Sequence, residues 1–168
     1  KQEIMKRCLN IGCGDKPWTS SPEMEWINLD LMPKPHVQVA RDIRRGLPFQ
    51  DASFEFVFMD NVLEHFSSED AIFLINEVDR VLVEGGKAEI IVPHAHSQGA
   101  FQDPTHKSFW VPRSVIYWCQ GRSKYGGRFV GITAHLVEMN TEVFGNMDTE
   151  AFIRFDVQKL QWRGPQDA

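Results

Sequence analysis

The sequence predicts an α/β protein, a doubly wound sheet that is mostly parallel and closed by an antiparallel terminal hairpin. Three observations predict it. Short apolar runs alternate with turn or helix signals from Lys6 to Val92, residues able to do chemistry stand just after those runs, and two β-rich segments end the chain. In such sheets ligands bind beyond the carboxyl ends of the strands, near the point where strand order reverses.

The first run, Lys6–Ile11 (KRCLNI), stops at Gly12-Cys13-Gly14, the pattern of a buried strand entering a tight turn. Trp26–Leu31 (WINLDL) reads as a second strand carrying Asp30 at its end, and Val37–Ala40 as a short third one. Phe54–Met59 (FEFVFM) is apolar throughout, so it is expected at the centre of the sheet, covered on both faces. Ser67 with Asp70 three residues on approximates a capping box. Ala71, Leu74, Ile75, Val78 and Leu82 then follow a 3.6-residue period, which predicts a helix stopped by Gly85-Gly86. Ala88–Val92 (AEIIV) is the next strand, Pro112–Cys119 a candidate helix opened by proline, and Arg128–Met139 and Ala151–Trp162 the final strands.

Length and composition narrow the function. With 168 residues the chain reads as one domain, 1–168, able to bury a core without disulfides. Cys8, Cys13 and Cys119 are too few, and odd in number, for a disulfide framework, so a reducing, cytoplasmic setting is expected. There is no apolar run of the roughly 18 residues that a membrane helix needs, so no membrane partner is expected. A net charge of −5 argues against a surface coated with bases for duplex nucleic acid. Yet Pro104–Val137 holds five basic residues (Lys107, Arg113, Arg122, Lys124, Arg128) and no acid.

The glycine turn lets backbone approach a ligand, and Asp30, 16 residues after Gly14, can accept both hydroxyls of a ribose. A dinucleotide wants a third glycine and a helix N-terminus for its pyrophosphate. Here Pro17 takes that glycine's place, and Pro17–Glu25 (PWTSSPEME) has two prolines and no apolar stripe. NAD is therefore disfavoured against another adenosine-bearing cofactor.

The order LNIGCG, INLD, DIRRGLPFQDASFEFVFMDNVLEHF and INEVDRVLVEGGKAEIIVPH, from Lys6 to His94, resembles class I S-adenosylmethionine-dependent methyltransferases of the small type-11 kind, whose fold is Rossmann-like. The cofactor needs no helix dipole, and its sulfonium tolerates an acidic site. The resemblance implies S-adenosyl-L-methionine as cofactor and S-adenosyl-L-homocysteine as product. It implies that Gly12, Cys13 and Gly14 line the methionine part and Asp30 holds the ribose. Leu31 and Ile43 would sandwich the adenine, Asp42 would accept its amino group, and Asp60 and Asn61 would face the sulfonium. Asn10 stands where the family usually has an acid, which loosens the grip on the cofactor's ammonium while leaving Asn able to bind through water.

Methyl transfer needs the acceptor held at near-attack distance with water excluded, and for some acceptors a base. The acceptor entrance is expected at His94-Ala95-His96, Asp103-Pro104-Thr105-His106 and Phe109-Trp110. His106, oriented by Asp103, is the candidate base, and His65 a third catalytic candidate; Asp103 and His106 could instead simply tie the loop together. Glu64, His65, His94 and His106 could surround a divalent metal, but Asn61 stands where magnesium would want a carboxylate, so no metal is expected. The basic residues after Pro104 alternate with aromatic ones, and Gly121, Gly126 and Gly127 would make 94–130 a lid over the acceptor. The expected partner is a small, anionic acceptor such as a sugar or nucleotide derivative, methylated on O or N. RNA or DNA methylated at an end or loop is the second reading, and a non-catalytic cofactor-binding module the third.

Overall fold

The structure is a computed structural model that describes residues 5–114, 129–143 and 146–159, with side chains up to Ser114 and again over Phe152–Lys159. Five strands follow one another in parallel: β1 (Lys6–Ile11), β2 (Met24–Asp30), β3 (Val39–Ala40), β4 (Phe54–Asp60) and β5 (Leu82–Pro93). Two long strands, β6 (Phe129–Val143) and β7 (Asn146–Lys159), pair antiparallel, and β7 runs antiparallel to β5. The order across the sheet is β3-β2-β1-β4-β5-β7-β6. Chain order reverses between β1 and β4, so the crevice for a ligand opens beyond their carboxyl ends, at Gly12 and at Asn61. Among the described residues no helix is long and apolar enough to cross a membrane.

The two faces of the sheet are covered by different means. Helix α1 (Ser68–Val81) buries Ala71, Leu74, Ile75 and Val78 against Leu9, Ile11, Leu29, Val57 and Met59. Each such aliphatic side chain contributes roughly 2 kcal/mol relative to exposure. Ser67 starts the helix by accepting from the Asp70 amide at 3.2 Å, as the capping pattern predicts. On the other face, Cys8, Trp26 and Phe56 stand in one row, and Asn10, Asn28 and Phe58 in the next. Among the described residues no helix covers them, since residues 12–23 cross from β1 to β2 as loop. Trp18 closes the gap instead. Its ring stacks on Trp26 at 4.9 Å and meets Phe58 edge-on at 5.4 Å.

The strands fall where the apolar runs put them, but the helix ends earlier than Gly85-Gly86. α1 stops at Val81, and Leu82 already pairs with Phe54 as the first residue of β5. The register then slips before Lys87 pairs with Phe56, so the glycines form a bulge inside the strand rather than a helix stop. Glycine is required there: Gly85 has φ +78°, and a Cβ on Gly86 would lie 2.9 Å from the Val83 carbonyl oxygen. Lys159, reaching from β7, donates to the carbonyls of Asp79 and Leu82 and fixes the junction. Of the candidate helix 112–119, residues 112–114 form a single 3₁₀ turn and the rest lies outside the described residues. So do Arg122, Lys124, Arg128 and the three glycines of the expected lid.

Candidate functional site

Asp30 ends β2 beside the glycine turn and holds it closed. One carboxylate oxygen accepts from the Gly14 amide at 2.8 Å, the other from the Met32 amide at 3.0 Å. A carboxylate has about four lone-pair sites, so Asp30 keeps room for two further donors. The glycines serve different ends. A Cβ on Gly12 would lie 2.3 Å from a methyl of Val62, so this glycine seats the turn against the chain after β4. A Cβ on Gly14 would meet nothing within 4 Å, so this one leaves open space for a ligand.

Two cavities meet at Gly12 and Asn61. The first, about 290 Å³, is lined by Asp30, Leu31, Asp42, Ile43, His65 and Lys107 among others. Leu31 is 60% exposed there, an apolar side chain at a rim facing Ile43. Asp42 is engaged by the Arg44 guanidinium at 2.7 Å, which holds its carboxyl at about 2. The second cavity, about 580 Å³, runs from Asn10 and Cys13 past Lys16 to Asp60. Burial pushes the Asp60 carboxyl up from its ordinary value, with Lys16 opposing, and pushes the Cys13 thiol up as well. Asn61 has φ +53°, a conformation Asn tolerates, and turns the chain sharply out of β4 between the two cavities.

Asn10 lines the second cavity but its amide is committed elsewhere. It donates to Asn28 at 2.9 Å and to the Lys16 carbonyl at 3.3 Å. Asn28 in turn bonds both the amide and the carbonyl of Trp18, each at 2.9 Å. This buried pair anchors the helix-free crossover, so an amide rather than an acid at position 10 has a structural reason.

Beyond β4, Glu64 and His65 meet the loop after β5. The ring of His65 meets that of His106 edge-on at 4.8 Å, and Glu64 stands with them, donor atoms of all three lying within 4.8 Å of one another. Glu64 is 2% exposed, and neither of its carboxylate oxygens has a hydrogen-bond partner in another described residue. Burial pushes it up to about 8, its own backbone N–H opposing and Asp60 and Asp103 adding to the effect. His65 is pushed down by its own burial and by His106. The expected Asp103–His106 hydrogen bond is not formed: Asp103 stands 3.9 Å from the His106 ring nitrogen Nε2, while Nδ1 lies 2.9 Å from the Ala100 carbonyl. Asp103 instead takes the Thr105 hydroxyl at 2.7 Å, and Thr105 lies 2.9 Å from His65 Nδ1. His94 stays outside this cluster and pairs with His96 at 5.1 Å.

Gly12, Leu31, Asp42, Ile43, Asp60 and Asn61 thus line two adjoining cavities with Asp30. The sequence reading overlooked Asn28 and Trp18, and gave Thr105 no role of its own within the acceptor entrance. Asn28 stands opposite Asn10 in the β1–β2 register, a pairing visible only once that register is known. Thr105 carried a signal, an Asp two residues upstream in turn chemistry.

Residues 9–90 match the family model described as a methyltransferase domain. No curated protein matches the chain. Among solved structures, a SAM-dependent methyltransferase from Archaeoglobus fulgidus aligns with TM-score 0.68 and 17% identity, covering 94% of this chain and 87% of that one. The N-methyltransferase NodS from Bradyrhizobium japonicum, in complex with S-adenosyl-L-homocysteine, aligns with TM-score 0.62 and 16% identity over 93% of this chain and 79% of its own. A 1,6-didemethyltoxoflavin-N1-methyltransferase from Burkholderia thailandensis gives 0.64 and 13%, over 94% and 72%. The fold is the Rossmann-like fold of these enzymes. Over residues 9–90 the chain is thus similar to a methyltransferase domain, set in a fold shared with S-adenosylmethionine-dependent methyltransferases.

Proposed function

We propose that this enzyme transfers a methyl group to an oxygen or nitrogen of a small, anionic acceptor, such as a sugar or nucleotide derivative. The observation that carries the reading is the pair of cavities joined at Gly12 and Asn61, one ringed by Asp30, Leu31 and Ile43, the other ending at Asp60. An adenosyl group suits the first cavity. Asp30 has unused acceptor capacity for ribose hydroxyls, and exposed Leu31 gains by covering a flat ring. A sulfonium suits the junction, where half-buried Asp60 supplies negative charge. Asp42 would take the adenine amino group only in competition with Arg44.

S-Adenosylmethionine supplies a methyl group on a sulfur that is already an activated leaving group. The chain's part is therefore positional. Asp30 and the Gly14 amide hold the cleft's inner wall, Asn61 turns the backbone so that the junction stays open, and the loop 94–110 walls off one side. His65 and Lys107 line the same cavity as Asp30, on the side where an acceptor would enter. Lys107, which lines that cavity with Arg41 and Arg44, favours an anionic acceptor; in the metal-free protein the unprotonated ring nitrogen of His65 or His106 would take the proton of an acceptor that needs a base.

Turnover of matched anionic and neutral acceptors tests the reading, with a short RNA as a third arm. Faster turnover of the anionic small molecule, falling as salt screens Lys107, is the expected result. Equal rates at all salt concentrations would refute the anionic acceptor, and preference for the RNA would favour nucleic-acid methylation instead.

A further inference from the structure

We infer that Glu64, His65 and His106 form a binding site for one divalent transition-metal cation at the acceptor side of the cleft. The first support is the acid itself. A carboxylate 2% exposed, with both oxygens lacking a hydrogen-bond partner in any other described residue, is costly to keep unless something satisfies it. No described side chain does.

The second support is the state of the two rings. The Ala100 carbonyl can only accept, so His106 carries its proton on Nδ1 and leaves Nε2 with a free lone pair. The Thr105 hydroxyl donates to Asp103, so its oxygen accepts from His65 Nδ1, and His65 also presents Nε2 as a lone pair. Both imidazoles are thereby held in the metal-binding tautomer by outer partners, a carbonyl for one and a hydroxyl–carboxylate relay for the other. Two neutral imidazoles and a carboxylate favour zinc, cobalt, manganese or iron over magnesium or calcium. Their donor atoms lie within 4.8 Å of one another. A tetrahedral ion with bonds of about 2.1 Å separates its donors by about 3.4 Å, so side-chain shifts of about 1 Å close the shell.

Three protein ligands leave at least one position open. His65 also lines the Asp30 cavity, so the open position is placed to take an acceptor oxygen. That role rests on the methyl-transfer reading; the binding of the cation does not.

The test is a titration of chelator-treated protein with Co²⁺, followed by visible absorption, and with Zn²⁺, followed by calorimetry. One equivalent is expected to bind, with Glu64→Gln and His106→Ala each weakening it at least ~10-fold and Thr105→Val, which disturbs only the orientation of His65, weakening it about 10-fold. His96→Ala, which alters the separate His94–His96 pair, should bind as the wild type does. Near-ultraviolet circular dichroism checks that each variant is folded, and should a variant fail to fold, the others still decide the result. No stoichiometric binding by the wild type, or binding lost in His96→Ala and kept in Glu64→Gln, would overturn the site. S-Adenosylhomocysteine binding is measured separately, so loss of the metal site and loss of the methyl-transfer reading give different results.

Discussion

At the glycine-turn end of the cleft two acids have partners: Asp30 takes two backbone amides, and Asp42 takes the Arg44 guanidinium. At the far end Glu64 is more deeply buried than either and has none in another described residue. The first end is built as a finished wall, these two carboxylates held by neighbours that are always present. The second holds a group whose environment favours its neutral form, beside two imidazoles tied from behind. The difference teaches that one end is ready for a neutral or cationic guest, whereas the other lacks a charge.

Breaking this contrast at Glu64 should have the largest effect. Its folded value, about 8, is raised from 4.5, so its contribution to stability is fully present below pH 4.5 and is lost as pH rises to about 8. For the metal-free protein, the stability of Glu64→Gln relative to wild type should therefore grow by about 1.4 kcal/mol per pH unit across that window. Urea denaturation of both proteins at several pH values measures it, and parallel profiles would show that Glu64 is not desolvated. At the other end, Asn28→Ala removes the partner of Asn10 and both bonds to Trp18, and should cost about 2–3 kcal/mol in the same denaturation experiment. Trp18→Ala should cost less, about 1–2 kcal/mol, since the ring is half-exposed while its backbone bonds survive. Ser67→Ala sharpens the comparison as a control remote from the cofactor wall: about 1 kcal/mol lost from the α1 cap, with S-adenosylhomocysteine affinity unchanged.

Much of the fold was legible because alternating apolar runs and turns report strands directly. β1 begins and ends where its apolar run does, and Asp30 is the last residue of β2, where a site residue belongs. The Gly85-Gly86 bulge was not legible, since the same pair can stop a helix or interrupt a ladder, and only pairing with β4 decides between them. The glycine turn and its acids were readable as a set because they follow strands in order. Contacts between distant segments were not. The relay from Asp103 through Thr105 to His65 joins residues 40 apart, and the Ala100 carbonyl that holds His106 has no side-chain signature at all.

Calorimetric titration of S-adenosylhomocysteine into the wild type and into Asp30→Ala tests most directly whether the glycine-turn cleft is the cofactor site. The wild type should bind one equivalent with a Kd of about 10 µM or tighter. The variant, having lost a charged acceptor for two hydroxyls, should bind about 100-fold more weakly. Equal affinity in both proteins, or no heat with this ligand while NADH saturates the protein, would contradict the assignment.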